Sequence, residues 1–189
     1  MYDPRSFQML PWFAQQMYFM YQQPFWFNPQ MYDRYMNYYL ANQQGYGNNT
    51  NTINLKDYGP APLVIDIENA TEQNNNFRTV LWTGDNFQVT LMSIPVGDDI
   101  GVEVHDIDDQ FIRIEEGNGI VRMGNSKDNL DFQSRIQDGV AIMIPAGKWH
   151  NIINTGNEPL KLYSIYAPPV HPYGTVHETK EDAKESERY

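Results

Sequence analysis

Gly139-Val140-Ala141-Ile142-Met143-Ile144-Pro145-Ala146-Gly147-Lys148-Trp149-His150-Asn151-Ile152-Ile153-Asn154 decides how this chain folds. An apolar run at 140–144 halts at Pro-Ala-Gly and resumes at 150–154, too short on either side for a helix and punctuated as two strands joined by a tight turn. His150 opens the second run. Upstream, Gly97-Asp98-Asp99-Ile100-Gly101-Val102-Glu103-Val104-His105 reads the same way and sets two metal-binding residue types, Glu103 and His105, two apart. At a strand's period of two their side chains share one face. Gln110 follows after the Asp106, Asp108, Asp109 turn, read as solvated, at the start of the next run, 110–115. Three neighbouring strands can thus bring Glu103, His105, Gln110 and His150 to one point.

The same texture extends outward. Short apolar or alternating runs at 63–67, 77–82, 87–94, 102–105, 119–123, 130–134 and 160–166 join those already named, separated by Gly-Asp and Gly-Asn pairs. About ten short strands without intervening helices predict an antiparallel sandwich or barrel over residues 54–176. Only 177–188 reads as a helix, with Glu178, Glu181 and Asp182 early and Lys184 and Arg188 late, as the helix dipole prefers. Residues 177–189 form a charged C-terminal helix and tail.

With these spacings on the page, Gly97-x5-Glu103-x-His105-x4-Gln110-x6-Gly117 resembles the first cupin motif, and Gly139-x5-Pro145-x-Gly147-x2-His150-x3-Asn154 is similar to the second at all five defining positions. The resemblance implies an all-β, RmlC-like cupin jelly-roll β-barrel binding one divalent metal ion through Glu103, His105, Gln110 and His150. It also implies structural roles for Gly97, Gly117, Gly139, Pro145, Gly147 and Asn154. The first motif departs from the family in two places: Glu103 stands for the usual first histidine, and Gln110 for the usual carboxylate. Both replacements can give oxygen to a metal, so the donor set is altered without being lost. Gln110 either ligates the ion or hydrogen-bonds what binds there. His, Glu and Gln suit Zn, Mn, Fe, Ni or Co alike.

Two His, one Glu and one Gln resemble the zinc ligand inventory of type I phosphomannose isomerases, and the plain one-domain form resembles bacterial mannose-6-phosphate-isomerase-like cupins. That implies a sugar or sugar-phosphate isomerase or epimerase, with a base near the second motif: Tyr163, Tyr166 and Lys148 are the candidates. Against a phosphorylated substrate, the predicted strands hold only Arg78, Arg113, Arg122 and Arg135, and alternation turns Arg113 away from Gln110. Glu103, His105 and His150 alone would also make the two-His-one-carboxylate triad of Fe(II) oxygenases, with Trp82, Phe111 and Trp149 lining an apolar substrate pocket. Strict alternation turns Phe111 and Trp149 outward, against that lining. His171 and His177 are read as lying beyond the barrel, facing solvent or capping the helix.

Composition bounds the rest. The net charge of -11 excludes the clustered cations that nucleic acid or anionic membranes demand, and the absence of cysteine excludes disulfides and thiolate ligands. Residues 6–32 are uncharged, but Gln and Pro interrupt them too often for a membrane span or signal peptide. Residues 1–53 hold eight of the thirteen tyrosines and six of the nine methionines but no Glu, Lys or His. This low-complexity Tyr/Gln/Met-rich arm, ending in a linker over 42–49, resembles spore-coat proteins in composition. It implies a third reading, a non-enzymatic metal-binding coat module whose arm assembles. Cytoplasm or spore coat is the expected location, and a homodimer the expected assembly.

Overall fold

Each short run becomes a strand whose alternate residues point inward, because burying one side of a strand needs a period of two. The structure is a computed structural model that describes residues 52–186; expectations placed on residues 1–51, the arm among them, lie outside the described residues. Helix α1 (Ile67–Gln73) precedes strands β1 (Arg78–Thr83), β2 (Gln88–Ile94), β3 (Asp109–Glu116), β4 (Asn118–Gly124), β5 (Phe132–Gln137), β6 (Ala141–Ile144), β7 (Trp149–Asn154), β8 (Leu160–Ala167) and β9 (Val176–His177), and α2 (Lys180–Ser186) closes the order. A six-stranded sheet runs β6-β3-β8-β2-β1-β9 and a three-stranded sheet β5-β4-β7. All pairings are antiparallel. The fold is an all-β jelly roll with a short C-terminal helix.

Register divides the interior into two ends. At one end Met92 and Ile114 flank Leu162, Ile94 faces Leu160, and Ile152, Val121 and Ile136 from the smaller sheet join the same buried cluster. At the other end Gln88 and Gln110 flank Tyr166, and Thr90 and Ile112 flank Ser164. Gln88, Thr90, Gln110, Ser164 and Tyr166 are all buried. Apolar burial at the first end holds the sheets together; the second end is lined by buried polar side chains.

Three expectations are corrected. Residues 63–67 are not a strand: Asp66 caps α1 by accepting the Asn69 N–H at 3.1 Å, so the chain turns helical at Ile67. Helix α1 packs Ala70 against Leu81 and Leu91 on the outer side of β1 and β2, where Ile53, Leu55 and Tyr58 join it. Residues 102–105 are not a regular strand either. They run beside β7 through isolated bridges, Asp99 with Ile153 and Glu103 with His150, so four residue steps on one side span three on the other. Gly101, at φ +92°, takes up the extra residue and breaks the ladder. The C-terminal helix begins at Lys180 rather than 177, because Thr179 and Asp182 form a capping box: the Thr179 N–H donates to Asp182 Oδ2 at 2.9 Å and the Asp182 N–H to Thr179 Oγ1 at 3.2 Å.

Candidate metal centre

His150 enters the interior at the start of β7, wholly buried. Its backbone exchanges two hydrogen bonds with Glu103, the Glu103 N–H to the His150 carbonyl at 3.0 Å and the His150 N–H to the Glu103 carbonyl at 2.9 Å. That bridge fixes the two side chains beside each other. His105 follows two residues on, and its carbonyl accepts the Gly147 N–H at 2.7 Å. Gly147 sits at φ +75°, a left-handed turn that a side chain would strain. The Pro145-Ala146-Gly147 turn thereby ties His105 and His150 together.

Donor atoms of Glu103, His105 and His150 lie within 4.8 Å of one another. Glu103 Oε1 is 3.3 Å from His150 Nε2 and 3.6 Å from His105 Nε2. Ligand atoms around an ion at about 2.1 Å stand roughly 3.0–3.4 Å apart, so the spacing suits one shared metal ion. Both Nε2 atoms are buried without a hydrogen-bond partner. The tautomers suit ligation as well. His150 Nδ1 lies 3.0 Å from the Lys148 carbonyl, which can only accept, so Nδ1 carries a proton and Nε2 is the nitrogen that faces the centre. Behind His105, the Asp108 carboxylate stands 4.0 Å from Nδ1. Burial works to raise the Glu103 carboxyl, but contacts with His105 and His150 override it and hold it at about 2, so the ligand is an anion at neutral pH. Gln110 is buried on β3 opposite Tyr166, whose ring packs edge-on to His105 at 5.3 Å. Its Nε2 donates to Ser164 Oγ at 2.9 Å, while Oε1 is buried without a partner. These donors fit a divalent ion.

A cavity of roughly 400 Å³ opens onto Glu103 and His105, walled on its far side by Arg78, His171, Thr175 and His177. Two of these, His171 and His177, correct the sequence reading. His171 and His177 do not lie beyond the barrel, because residues 168–177 fold back and pair as β9 with β1, with His177 opposite Arg78. Arg78 is 3% exposed. Gln88 holds the returning segment, accepting the His171 N–H at 3.0 Å and donating to the His171 carbonyl at 2.9 Å. Burial, with Arg78 second, pushes His171 down to about 3, so it is neutral at pH 7 and its buried Nε2 has no partner.

The remaining candidates divide by face. Tyr166 stands between His105 and His171, its ring 5.3 and 5.2 Å from theirs, and burial raises its phenol. Tyr163 faces outward instead, opposite Leu91 and Arg113 and near Phe111 at 6.1 Å. The Lys148 ammonium bonds Asn125 Oδ1, so the part of Lys148 that serves the centre is its carbonyl. Trp82, Phe111 and Trp149 do not line the cavity. Phe111 and Trp149 neighbour inward Gln110 and His150 and so point out. A bulge between Val80 and Trp82 shifts the phase of β1, so Trp82 faces outward opposite Val89 and stacks on Phe87 at 4.7 Å. Gly97, Gly117 and Gly139 all have positive φ, and Asn154 is buried, donating to the carbonyls of Ile94 and Glu158 at 2.9 and 2.8 Å.

The comparisons agree with this architecture. The Cupin domain family matches residues 90–166. The Bacillus subtilis (strain 168) protein YrkC, itself uncharacterised, is 67% identical over 133 residues, 70% of this chain and 72% of its own length. An uncharacterised protein of Acanthamoeba polyphaga mimivirus is 41% identical over 114 residues, 60% of this chain and 69% of its own. The crystal structure of a Bacillus halodurans protein is 62% identical with a TM-score of 0.68, over 69% of this chain and 98% of that one. The matched span carries most of β2 through β8 with the Glu103, His105 and His150 cluster, and the chain belongs to the cupin superfamily.

Proposed function

We propose that this chain binds one divalent metal ion through Glu103, His105 and His150, with Gln110 Oε1 completing the set, and acts on a small oxygen-rich molecule in the manner of a sugar isomerase or epimerase. The observation that carries the reading is the convergence of one ionised carboxylate and two buried, unpartnered imidazole Nε2 atoms within 4.8 Å at the mouth of a cavity. A bound ion would polarise a carbonyl and hydroxyl pair. The protein's own part is to orient and to exclude water. Neutral His171 offers a hydrogen-bonding nitrogen along the wall without adding charge, and Tyr166 is buried between His105 and His171 behind it.

The absence of Trp82, Phe111 and Trp149 from the cavity lining favours this over oxidation of an aromatic substrate. The test is elemental analysis of full-length protein purified without chelator, beside His150→Ala. One ion per chain in the wild type and loss of stoichiometric metal in the variant are expected; wild-type metal content in a folded His150→Ala protein would overturn the assignment. Iron with substrate-dependent oxygen uptake would move the chemistry to the dioxygenase class.

A further inference from the structure

The segment that returns over β1 is clamped at His171. Gln88, wholly buried on β2, accepts the His171 N–H at 3.0 Å, and its amide nitrogen donates to the His171 carbonyl and to Thr83 Oγ1, each at 2.9 Å. Both of its donors are spent, so the amide is fixed in one orientation. The Thr83 hydroxyl donates onward to Asp57 Oδ2 at 2.6 Å. The His171 ring meets the buried Tyr166 ring edge-on at 5.2 Å, and Tyr166 meets His105 at 5.3 Å, so a single aromatic ring couples His171 to the metal centre. These contacts fix the backbone and the ring plane of His171. They leave Nε2 buried without a hydrogen-bond partner, on a residue that lines the cavity. A polar atom held in place in that condition is rare and calls for a partner from elsewhere.

Two other residues of the wall say what kind of partner. Thr175 Oγ1 donates to the Pro172 carbonyl and Ser186 Oγ to the Ala183 carbonyl, each at 2.7 Å. A hydroxyl carries one hydrogen, so both oxygens are left as acceptors. An ether or carbonyl oxygen cannot serve them, whereas an alcohol O–H can. Burial pushes the His171 ring down to about 3, so it meets a ligand uncharged. Whichever tautomer it holds, a ligand hydroxyl, which both donates and accepts, can pair with Nε2. Arg78 and His177 also line the cavity but have partners of their own.

We propose that His171 is the ligand-recognising residue of this cavity, its Nε2 pairing with one hydroxyl of a small polyhydroxylated molecule while Thr175 and Ser186 accept from others. A cavity of roughly 400 Å³ is within the range of small-molecule sites. That another oxygen of the same molecule meets a metal ion rests on the function proposed above; the hydroxyl contact at His171 does not.

Titration calorimetry of the full-length, zinc-loaded protein with D-fructose, D-mannose and sorbitol, then with the monodeoxy forms of whichever binds tightest, tests it. Removing one particular hydroxyl should weaken binding about tenfold in the wild type and leave it unchanged in His171→Phe, which keeps a ring against Tyr166 and removes the nitrogen. His171→Phe should bind the parent compound about tenfold more weakly at wild-type metal content. The wild type gives a second readout that needs no variant: the NMR signal of the His171 ring nitrogen should move on titration. No binding of any of the three compounds, an unmoved ring-nitrogen signal, wild-type affinity in a folded His171→Phe protein, or deoxygenation losses equal in both proteins would overturn the proposal. Repeating the titrations after EDTA treatment separates the two readings. Affinity that falls with the metal but ignores His171→Phe sinks this inference alone, and affinity that follows His171→Phe but ignores EDTA sinks the metal reading alone.

Discussion

Gln110 is one of the two residues at which this chain departs from its family's pattern, and its surroundings give the departure physical content. Its amide nitrogen donates to Ser164, but Oε1 sits partnerless in the barrel. Such an orphan costs about 1–3 kcal/mol unless a cation takes it. Gln110→Met keeps the volume and removes the orphan together with the bond to Ser164, so the two stability effects oppose each other while metal affinity loses a donor. Metal retention, measured by chelator competition, should fall about 10–100-fold, whereas the metal-free protein in urea should change by no more than about 1.5 kcal/mol. Unchanged metal affinity would confine Gln110 to hydrogen bonding. Glu103, His105 and His150 were legible in the sequence because period-two spacing and a Pro-Ala-Gly turn are local signals. Arg78, His171 and His177 were not. They meet through the return of 168–177 across β1, and nothing in either segment's own pattern encodes that pairing.

Among the elements, the strands were legible where the pairing runs unbroken, as between β2 and β8, and misread where a bulge or a cap intervenes. The phase shift in β1 turned Trp82 outward, Gly101 broke the expected strand at 102–105, and Asp66 converted an apparent strand into the start of α1. The last helix shows a device that composition did not reveal. Lys180 Nζ contacts Asp98 Oδ1 at 2.7 Å and Asp99 Oδ1 at 2.5 Å, clasping α2 to the turn before the metal-site segment. Burial works to raise both carboxyls, but the ammonium overrides it through hydrogen bonds and charge, so both lie below the usual 3.8. Lys180 is raised above its usual 10.5 by the two carboxylates, against burial. Depressed acids contribute stability fully above 3.8 and lose it as pH falls through their folded values. A raised lysine contributes fully below 10.5 and loses it as pH rises through its folded value. The clasp is therefore complete between about pH 4 and 10 and opens in acid. Since the acids are partly exposed, it is worth about 0.5–1 kcal/mol. Hydrogen exchange of α2 amides, corrected for intrinsic rates, should show protection falling below pH 3.8 in the wild type, while Lys180→Met should be less protected at neutral pH and nearly indifferent to that drop.

At the scale of the molecule, the jelly roll itself was legible because ten short runs without a long helical period leave little alternative to stacked antiparallel sheets. How the chain ahead of β1 serves it was less so. Ile53, Leu55 and Tyr58 pack beside Leu81 and Leu91 on the outer face of β1 and β2. Asp57, buried, gathers the Thr83 N–H at 3.0 Å, the Thr83 hydroxyl at 2.6 Å and the Gly174 N–H at 3.0 Å on its carboxylate, and its carbonyl accepts the Tyr173 hydroxyl at 3.0 Å. One short segment thus supports both the end of β1 and the strap that carries His171 and Thr175 into the cavity wall. Chains beginning at Thr52 and at Pro60 should therefore differ sharply. Removing the segment forfeits apolar burial and leaves two backbone donors to find water, a loss of about 3–6 kcal/mol in all. For a domain of this size the thermal midpoint should drop by about 10 °C or more. Metal stoichiometry should be the same in both, because Glu103, His105 and His150 are held by their own bridge and by the turn at Gly147. Equal midpoints in the two chains would mean that the cavity wall stands without its support, and the strap would then owe its position to Gln88 and to the pairing of β9 with β1.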